Sequence, residues 1–160
     1  EFITQKVTEL GASQIWAFPA DWSVAKWDGK KLGKKVEKLE KIALGAAEQS
    51  KRNLVPSITL FEKKADFLDQ LEQFDRIVVA YEESAKEGEA AALLQSLTGL
   101  EAGSKLLFIF GPEGGLSPAE IESFTAKGAV LVGLGPRILR AETAPLYALS
   151  AVSVVTELMN

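Results

Sequence analysis

The sequence predicts an α/β fold with a mainly parallel sheet and helices on both faces, and two observations carry this prediction. Apolar runs of strand length alternate with stretches of helical periodicity along the whole of the 160-residue chain, as they do in parallel sheets covered by helices. Two of these runs, 106–110 and 129–134, each lead into a loop rich in glycine and charge that precedes a helix. Ligands of open α/β sheets bind outside the carboxyl ends of the strands. The two loops together therefore predict a binding site.

Hydrophobic periodicity and turn residues place the elements along the chain. We expect, in chain order, helix 2–10, strand 14–18, helix 32–51, strand 55–61, helix 64–74, strand 76–81, helix 87–97, strand 105–110, helix 117–127, strand 129–134 and helix 143–159. Because no internal repeat or interdomain linker interrupts this alternation, residues 1–160 are expected to form a single domain.

Residues with strong backbone preferences mark several of the element ends. Gly11 and Gly128 are expected to end helices, because glycine tolerates the left-handed conformation of a helix cap. Pro56 stands near the start of its strand, where a missing N–H group is tolerated. Helix 32–51 has apolar residues at helical spacing. These are Leu32, Val36, Leu39, Ile42, Ala43, Ala46 and Ala47.

Two helix starts near the C-terminus are well marked. Ser117 is a capping residue, Pro118 takes the first helical position, and Glu120 completes a capping box. Pro145 lies in the first turn of the last helix. That last helix is apolar on nearly every side, which predicts that it is buried and that it contacts a partner subunit. Its apolar residues are Leu146, Tyr147, Leu149, Val152, Val154, Val155 and Leu158.

The residue types that are absent exclude several kinds of chemistry. The chain has neither cysteine nor histidine, which rules out disulfides and Ser-His-Asp or Cys-His catalysis and argues against a zinc site. We therefore expect no metal. No apolar run approaches the roughly 20 residues that a membrane span requires, so no membrane segment is expected and the cytoplasm is the natural location.

Positive charge is concentrated in one part of the chain. The segment from Lys26 to Arg52 contains nine Lys or Arg residues and four Asp or Glu residues, although the net charge of the whole chain is −4. This segment is either the solvated face of a helix or a surface that binds a phosphate backbone. The polar run 48–53 at the end of that helix is either a polar helix end whose cations complement the helix dipole or part of a functional site.

The glycine-rich loop Gly111–Gly115 matches neither common nucleotide-binding motif. It is not followed by the Lys-Ser/Thr pair of a P-loop. It is also not a Rossmann fingerprint, because that motif follows the first strand of its fold, whereas this loop follows a strand late in the chain. Alone, this loop is typical of a simple turn between strand and helix. The second loop adds Arg137, Arg140 and Glu142 beside a helix start, where they form either an exposed Arg140–Glu142 ion pair or part of a site.

The three tryptophans have different interpretations. Trp16 is expected in the core, because it lies on a predicted strand. Trp22 and Trp27 lie in the loop that follows this strand. They are expected either to stack on a nucleic-acid base or to fix the loop in place.

Several segments together resemble a known family. They are Thr8–Gly11, Glu48–Arg52, Val55–Pro56, Gly111–Gly115, Leu134–Gly135 and Ile138–Ala144. In these residues the chain resembles the RsmE-like uracil-N3 methyltransferases of 16S ribosomal RNA, which are members of the SPOUT superfamily. The resemblance covers nearly the whole chain. Family members also carry an N-terminal PUA-like RNA-binding β-domain, so the chain is expected to be a fragment that lacks it.

The resemblance implies a fold, a cofactor and partners. It implies that the C-terminal segment threads a loop to form a deep trefoil knot, which pattern reasoning alone argues against. It also implies that S-adenosylmethionine binds within the knot and that the protein is a homodimer packed through this region. The implied substrate is 16S ribosomal RNA or the small ribosomal subunit.

The expected cofactor pocket is built from loops 81–83, 111–115 and 134–144. Its glycines allow close approach of the backbone, and its apolar side chains form walls. The expected cofactor-binding residues are Gly111, Pro112, Glu113, Gly115, Leu134, Gly135, Ile138, Leu139, Arg140, Thr143 and Ala144.

Three residues are the candidates for catalysis. Arg140 would stabilise the developing uracil oxyanion. Glu142 would orient Arg140, or accept the imide proton if desolvation raised its pKa. Arg52 would hold a phosphate or the base from the facing subunit.

Two alternatives remain from the residues alone. A Rossmann-type nicotinamide oxidoreductase would need an acidic residue about twenty positions after its glycine loop, but Val155 stands there when the count begins at Gly135. A module that binds a nucleotide and dimerises without catalysis is the other alternative.

Overall fold

The computed structural model describes residues 1–24, 28–83 and 92–159. Its helices are α1 (Phe2–Glu9), α2 (Leu32–Gln49), α3 (Lys64–Asp69), α4 (Ala92–Leu97), α5 (Pro118–Ala126) and α6 (Ala144–Ser153). Its strands are β1 (Gln14–Ala17), β2 (Ser57–Leu60), β3 (Arg76–Ala80), β4 (Leu106–Ile109) and β5 (Val130–Val132). The predicted alternation of helices and strands is confirmed.

The described strands form two parallel sheets where the sequence predicted one. Strands β1 and β2 pair in parallel, with Ile15 opposite Ile58. Strand β3 lies between β4 and β5 and is parallel to both, with Val79 opposite Ile109 on one side and Leu131 on the other. All three carboxyl ends of the larger sheet therefore lie at the same edge.

Alternate residues of β3 pack on opposite faces of that sheet. Ile77 and Val79 belong to a core cluster with Phe67, Leu71, Ile109, Leu116, Phe124 and Ala129. Val78 faces the other way, into a cluster with Leu93, Leu97 and Val132. Because side chains alternate along a strand, this pattern means that apolar groups cover both faces of β3, as predicted. Trp16 packs against the first cluster and makes edge-on contacts with Phe61 and Phe74, which confirms its place in the core.

Three helices end in the same hydrogen-bonded cap. After α1, the amide of Gly11 bonds to the carbonyl of Thr8 and that of Ala12 to Val7, and Gly11 is left-handed with φ of 100°. Helix α5 ends in the same way at Gly128, with φ of 92°. Helix α2 uses Lys51 at this position, with φ of 61°. The predicted glycine stops are confirmed, and α2 has the cap without the glycine that usually supplies it.

Several elements differ in extent from the prediction. Predicted helix 64–74 divides into α3 and a 3₁₀ turn, Leu71–Gln73. The last helix begins at Ala144 and its final turn, Val154–Leu158, has π-helical hydrogen bonds. Of predicted helix 87–97, the part before residue 92 lies outside the described residues, as do Lys26 and Trp27.

The last helix is partly buried within the single chain. Ala148 is fully buried, but Val154 is 45% exposed and Leu158 is 76% exposed. Ala151, Val152 and Val155 contact the cluster around Val78, and the helix also packs against α1. The sequence predicted burial that includes a partner subunit, so burial of the remaining exposed residues stays a prediction.

Candidate functional site

A cavity of about 750 Å³ lies at the carboxyl ends of β3, β4 and β5. Residues that follow each of these strands line it, namely 81–83, 111–116, 134–135 and 137–141. Its volume is within the range of roughly 300–1,000 Å³ that is usual for small-molecule sites. The structure thus brings together the three loops from which the sequence predicted a pocket.

Close packing explains the first glycine of the loop after β4. A Cβ atom on Gly111 would lie 2.9 Å from Leu116 Cγ and 3.1 Å from the backbone nitrogen of Leu116. Leu116 is buried in the core cluster beside β4, so it has little freedom to move. The loop therefore folds back on itself at Gly111, and the backbone forms this wall of the cavity.

Gly135 is required for a different reason in the loop after β5. Its φ is +81°, a conformation that side-chain-bearing residues rarely adopt, and a Cβ atom would lie 3.0 Å from the hydroxyl of Tyr147. Tyr147 belongs to α6. The glycine thus lets the loop turn sharply while it lies against the last helix.

Most of the predicted cofactor-binding residues line the cavity. Thr143 is the exception, because its side chain lies outside the lining at the start of α6. The residues that do line the cavity are Gly111, Pro112, Glu113, Gly115, Leu134, Gly135, Ile138, Leu139, Arg140 and Ala144.

The structure adds residues that sequence reasoning missed. Leu116 and Pro118 extend the loop after β4, Ala80 precedes the loop after β3, and Trp22 comes from the segment after β1. The position of Pro118 beside the glycine loop was a usable signal. Trp22 could not be assigned, because a residue far away in sequence reaches the cavity only through the tertiary fold.

Arg140 and Glu142 differ in their relation to the cavity. Arg140 lines it and Glu142 does not. Their closest charged atoms, Nη1 and Oε1, are 4.0 Å apart, with side chains that are 78% and 43% exposed. At this distance and exposure the pair contributes little to stability, so the arginine remains free to turn toward a ligand.

The guanidinium group of Arg52 lies against the end of α1. Its Nη1 donates to the carbonyl oxygens of Thr8 at 2.9 Å and Ala12 at 2.8 Å, and its Nη2 donates to Gly11 at 3.3 Å. These three carbonyls lie at the C-terminal end of α1 and in the cap that follows it, and that of Thr8 also accepts from the amide of Gly11. Within one chain Arg52 does not line the cavity, so the structure gives it a structural role that the sequence did not predict. A role toward phosphate or a base stays a prediction.

A polar cluster joins three elements beside the cavity. Glu120, whose side chain is fully buried, accepts hydrogen bonds from the amide of Ser117 at 2.9 Å and the amide of Asp21 at 3.1 Å. The Ser117 hydroxyl accepts from the amide of Glu120 at 3.2 Å, which completes the predicted capping box. Lys64, at the start of α3, contacts both Glu120 and Asp21.

The cluster shifts the titration of two of its members. The hydrogen bond from Lys64, and then that from the Ser117 hydroxyl, lowers the pKa of Asp21. Burial opposes the charge of Lys64, but its hydrogen bond with Asp21 and the charge of Glu120 outweigh that effect and raise the pKa of Lys64. Asp21 and Lys64 are therefore both charged at neutral pH.

The described ranges contain no group of three or more His, Cys, Asp or Glu residues arranged to hold a metal ion. Among the helices described, none is long and apolar enough to cross a membrane.

Comparison with known proteins places these features in a family. Residues 1–153 match the RNA methyltransferase domain family. The chain is 54% identical over 160 residues to ribosomal RNA small subunit methyltransferase E of Bacillus subtilis (strain 168), an alignment that covers 100% of this chain and 62% of the relative. It is 33% identical over 164 residues to the protein of the same name from Mycobacterium bovis, with 98% and 58% covered. The chain thus spans about three fifths of the length of these relatives.

The fold is also similar to solved structures. A ribosomal RNA small subunit methyltransferase E from Neisseria gonorrhoeae, crystallised bound to S-adenosyl methionine, aligns with a TM-score of 0.76 and 28% identity, covering 96% of this chain and 60% of that protein. Since the family match takes in all three loops of the cavity, the resemblance inferred from the motifs is confirmed: the chain belongs to the RNA methyltransferase domain family.

Proposed function

We propose that this chain is the catalytic domain of an S-adenosylmethionine-dependent methyltransferase that modifies N3 of a uridine in 16S ribosomal RNA. The observation that carries the proposal is the cavity formed by the loops after β3, β4 and β5 in a chain that belongs to an RNA methyltransferase family. Relatives named ribosomal RNA small subunit methyltransferase E support the substrate. Such a substrate places the protein in the cytoplasm.

The residues of the cavity fit the chemical groups of S-adenosylmethionine. Gly111 and Gly135 line the cavity and carry no side chain, so their backbone N–H and C=O groups are available to read the edge of an adenine. Leu134 and Leu139 offer apolar walls. Glu113 and Arg137 lie at the mouth of the cavity. They provide a negative and a positive charge for S-adenosylmethionine, which itself carries charges of both signs.

S-adenosylmethionine supplies an electrophilic methyl group when bound. The task of the protein is then to place N3 of uracil in line with that group and exclude water, because positioning provides much of the rate of such a transfer. The loops at Gly111 and Gly135 would hold the cofactor for this transfer.

Transfer of the imide proton from N3 to a water molecule leaves negative charge on the uracil oxygens. Arg140 lines the cavity with an exposed side chain, and its guanidinium can donate hydrogen bonds to those oxygens as their charge develops. Glu142 lies beside Arg140 and outside the lining. We therefore assign Arg140 the role of stabilising the anion and Glu142 the role of orienting Arg140.

The proposal includes a homodimer and a trefoil knot. The exposed apolar residues Val154, Leu158 and Met159 at the end of the last helix are the surface that a second copy would cover, since large apolar patches mark interaction sites. The knot is proposed for the segment after β5, because residues 134–135 and 137–141 line the same cavity as the loop after β4 and α6 then packs against α1.

Calorimetric titration separates this proposal from its alternatives. We expect S-adenosylmethionine to bind and NAD to give no heat of binding. Binding of NAD alone would favour an oxidoreductase. Binding of S-adenosylmethionine without methylation of small-subunit RNA would favour a nucleotide-binding module without catalysis.

A further inference from the structure

We propose that the indole of Trp22 is the surface on which the base of the substrate nucleotide stacks, and that the cluster of Asp21, Lys64, Ser117 and Glu120 holds this indole at the mouth of the cavity. The inference rests on the proposed function, because it assigns a residue that recognises the RNA substrate. Sequence reasoning left the role of Trp22 open between stacking on a base and fixing its loop.

Trp22 is placed where a ligand can reach it. Trp22 is one of the residues that line the cavity, yet it remains 51% exposed. Trp16 shows the alternative, because it packs among Phe61, Phe67 and Phe74. A large aromatic side chain that is left half exposed at the mouth of a cavity offers a face for a planar partner, and each base stacked on such a face contributes to affinity.

The backbone around Trp22 is held by contacts on both sides. Residues 20–23 form a turn closed by the amide of Ser23 and the carbonyl of Ala20 at 3.2 Å, with Asp21 and Trp22 at its centre. The Asp21 amide donates to buried Glu120 at 3.1 Å, and its carboxylate accepts from Lys64 and from the hydroxyl of Ser117. Asp21 therefore connects the turn to the starts of α3 and α5.

The glycine loop contacts the turn from the other side. A Cβ atom on Gly114 would lie 3.2 Å from the carbonyl oxygen of Trp22 and 3.5 Å from its Cβ. The position of the indole is thus coupled to the loop that forms the adjacent wall. Stacking contributes most to affinity when the aromatic residue is held in place before the ligand binds. The turn holds the backbone of Trp22 in this way.

The position of the indole favours the RNA base over the cofactor. Gly111 and Gly135 line the cavity beside the ends of β4 and β5, where we place the cofactor. Trp22, Arg137 and Arg140 are exposed members of the lining and form its mouth. A base that belongs to an RNA chain must enter from outside after it leaves its own stack, so it meets the mouth first.

Binding of a short fluorescent oligouridylate tests the proposal without turnover. Trp22→Ala should weaken this binding between about fivefold and a hundredfold, the range expected for loss of one base–aromatic stack, and Trp22→Phe should retain most of the affinity. An abasic ribose-phosphate chain of the same length should bind wild type and Trp22→Ala equally. Val24→Ala is the matched control, because Val24 follows the same turn, is 98% exposed and does not line the cavity.

Two further measurements separate the possible failures. The dissociation constant of S-adenosylmethionine should change less than about threefold in Trp22→Ala, and the KM for RNA should rise more than kcat falls. Unchanged binding of oligouridylate by Trp22→Ala, or an equal loss of affinity for S-adenosylmethionine, overturns the stacking proposal. A third outcome concerns the proposed function alone. If the wild-type protein does not methylate RNA but still binds oligouridylate in a way that depends on Trp22, the proposed function is overturned and the stacking site is retained.

Discussion

Gly135 and Tyr147 are in such close contact that a Cβ atom on the glycine would lie 3.0 Å from the tyrosine hydroxyl. Through this contact the loop after β5, which lines the cavity, is packed against α6, the helix with the exposed apolar end. The shape of the candidate site and the position of the proposed dimer surface therefore depend on the same segment of the chain.

Substitution of Gly135 should damage the site without unfolding the protein. Gly135→Ala forces a side chain into a left-handed conformation, at a cost of about 1–2 kcal/mol, and pushes the loop away from Tyr147. We expect the affinity for S-adenosylmethionine to fall at least about tenfold while the far-ultraviolet circular dichroism stays unchanged. Calorimetry measures the affinity.

Gly45→Ala is the control for that substitution. Gly45 lies inside α2, and a Cβ atom on it would meet nothing within 4 Å beyond the backbone of its own helix. Alanine should therefore stabilise the helix by roughly 0.5–1 kcal/mol and leave binding unchanged. Normal binding by Gly135→Ala would show that this loop does not contact the cofactor.

Loss of Arg140 should reduce turnover far more than it reduces cofactor affinity. Its proposed partner is the uracil anion, which develops only near the transition state, so Arg140→Ala should lower the saturated rate about a hundredfold or more. Single-turnover methylation of small-subunit RNA particles gives the rate. Arg137→Ala removes another exposed arginine from the cavity lining. Because Arg137 is proposed to meet the charge of the cofactor, this variant should weaken cofactor affinity and keep the saturated rate within about tenfold of wild type. A weaker cofactor affinity with an intact saturated rate would make Arg140 a cofactor clamp.

Arg52→Ala should destabilise the fold. It removes the donors to the carbonyls of Thr8, Gly11 and Ala12, and we expect a loss of about 1–3 kcal/mol in the free energy of unfolding. Chemical denaturation measures it. Lys51→Gly, at the neighbouring residue, should raise the free energy of unfolding. Lys51 has a φ of 61°, which glycine adopts without strain. Unchanged stability in Arg52→Ala, combined with weaker and less salt-dependent RNA binding, would favour the phosphate contact predicted from the sequence.

The stability contributed by Asp21 should disappear in acid. The pKa of Asp21 is lowered by Lys64 and Ser117, so its contribution is present above the unfolded value of about 4 and is lost as the pH falls through the folded value. Since the side chain is 40% exposed, we expect Asp21→Asn to cost about 1 kcal/mol or less at neutral pH. Denaturation curves between neutral pH and strong acid should converge for the two proteins. A constant difference across this range would mean that the charge of Asp21 contributes nothing.

A charge at the exposed end of the last helix should prevent dimerisation. Leu158 is 76% exposed in the single chain, so Leu158→Asp should leave the fold intact and penalise only an interface that buries it. Sedimentation should show a dimer for wild type and a monomer for the variant. Val152→Asp is less informative, because Val152 packs against the chain's own core. A wild-type chain that is a stable monomer at micromolar concentration would remove the dimer from the proposal.

Local sequence signals predicted much of the fold and of the cavity. The capping box of Ser117 and Glu120 and the glycine caps at Gly11 and Gly128 depend on neighbours within a few residues, and the structure has all of them. The loops after β4 and β5 were predicted to meet because parallel strands end at the same edge of a sheet, and both line the cavity.

Contacts between distant parts of the sequence were not predictable in the same way. Arg52 caps α1 across 44 residues, and Asp21 bonds to Glu120 across 99 residues. No periodicity or spacing marks such pairs, because they form only when the helices and strands have packed. The division of the strands into two sheets and the placement of Trp22 at the cavity depend on the same long-range packing.

The most direct test of the proposed function is analysis of the nucleosides released from small-subunit RNA after incubation with this protein and isotope-labelled S-adenosylmethionine. We predict a single labelled product, N3-methyluridine, formed by wild type and reduced about a hundredfold in Arg140→Ala. Label on another atom or another base, or an RNA that stays unlabelled although the protein binds S-adenosylmethionine, would contradict the assignment.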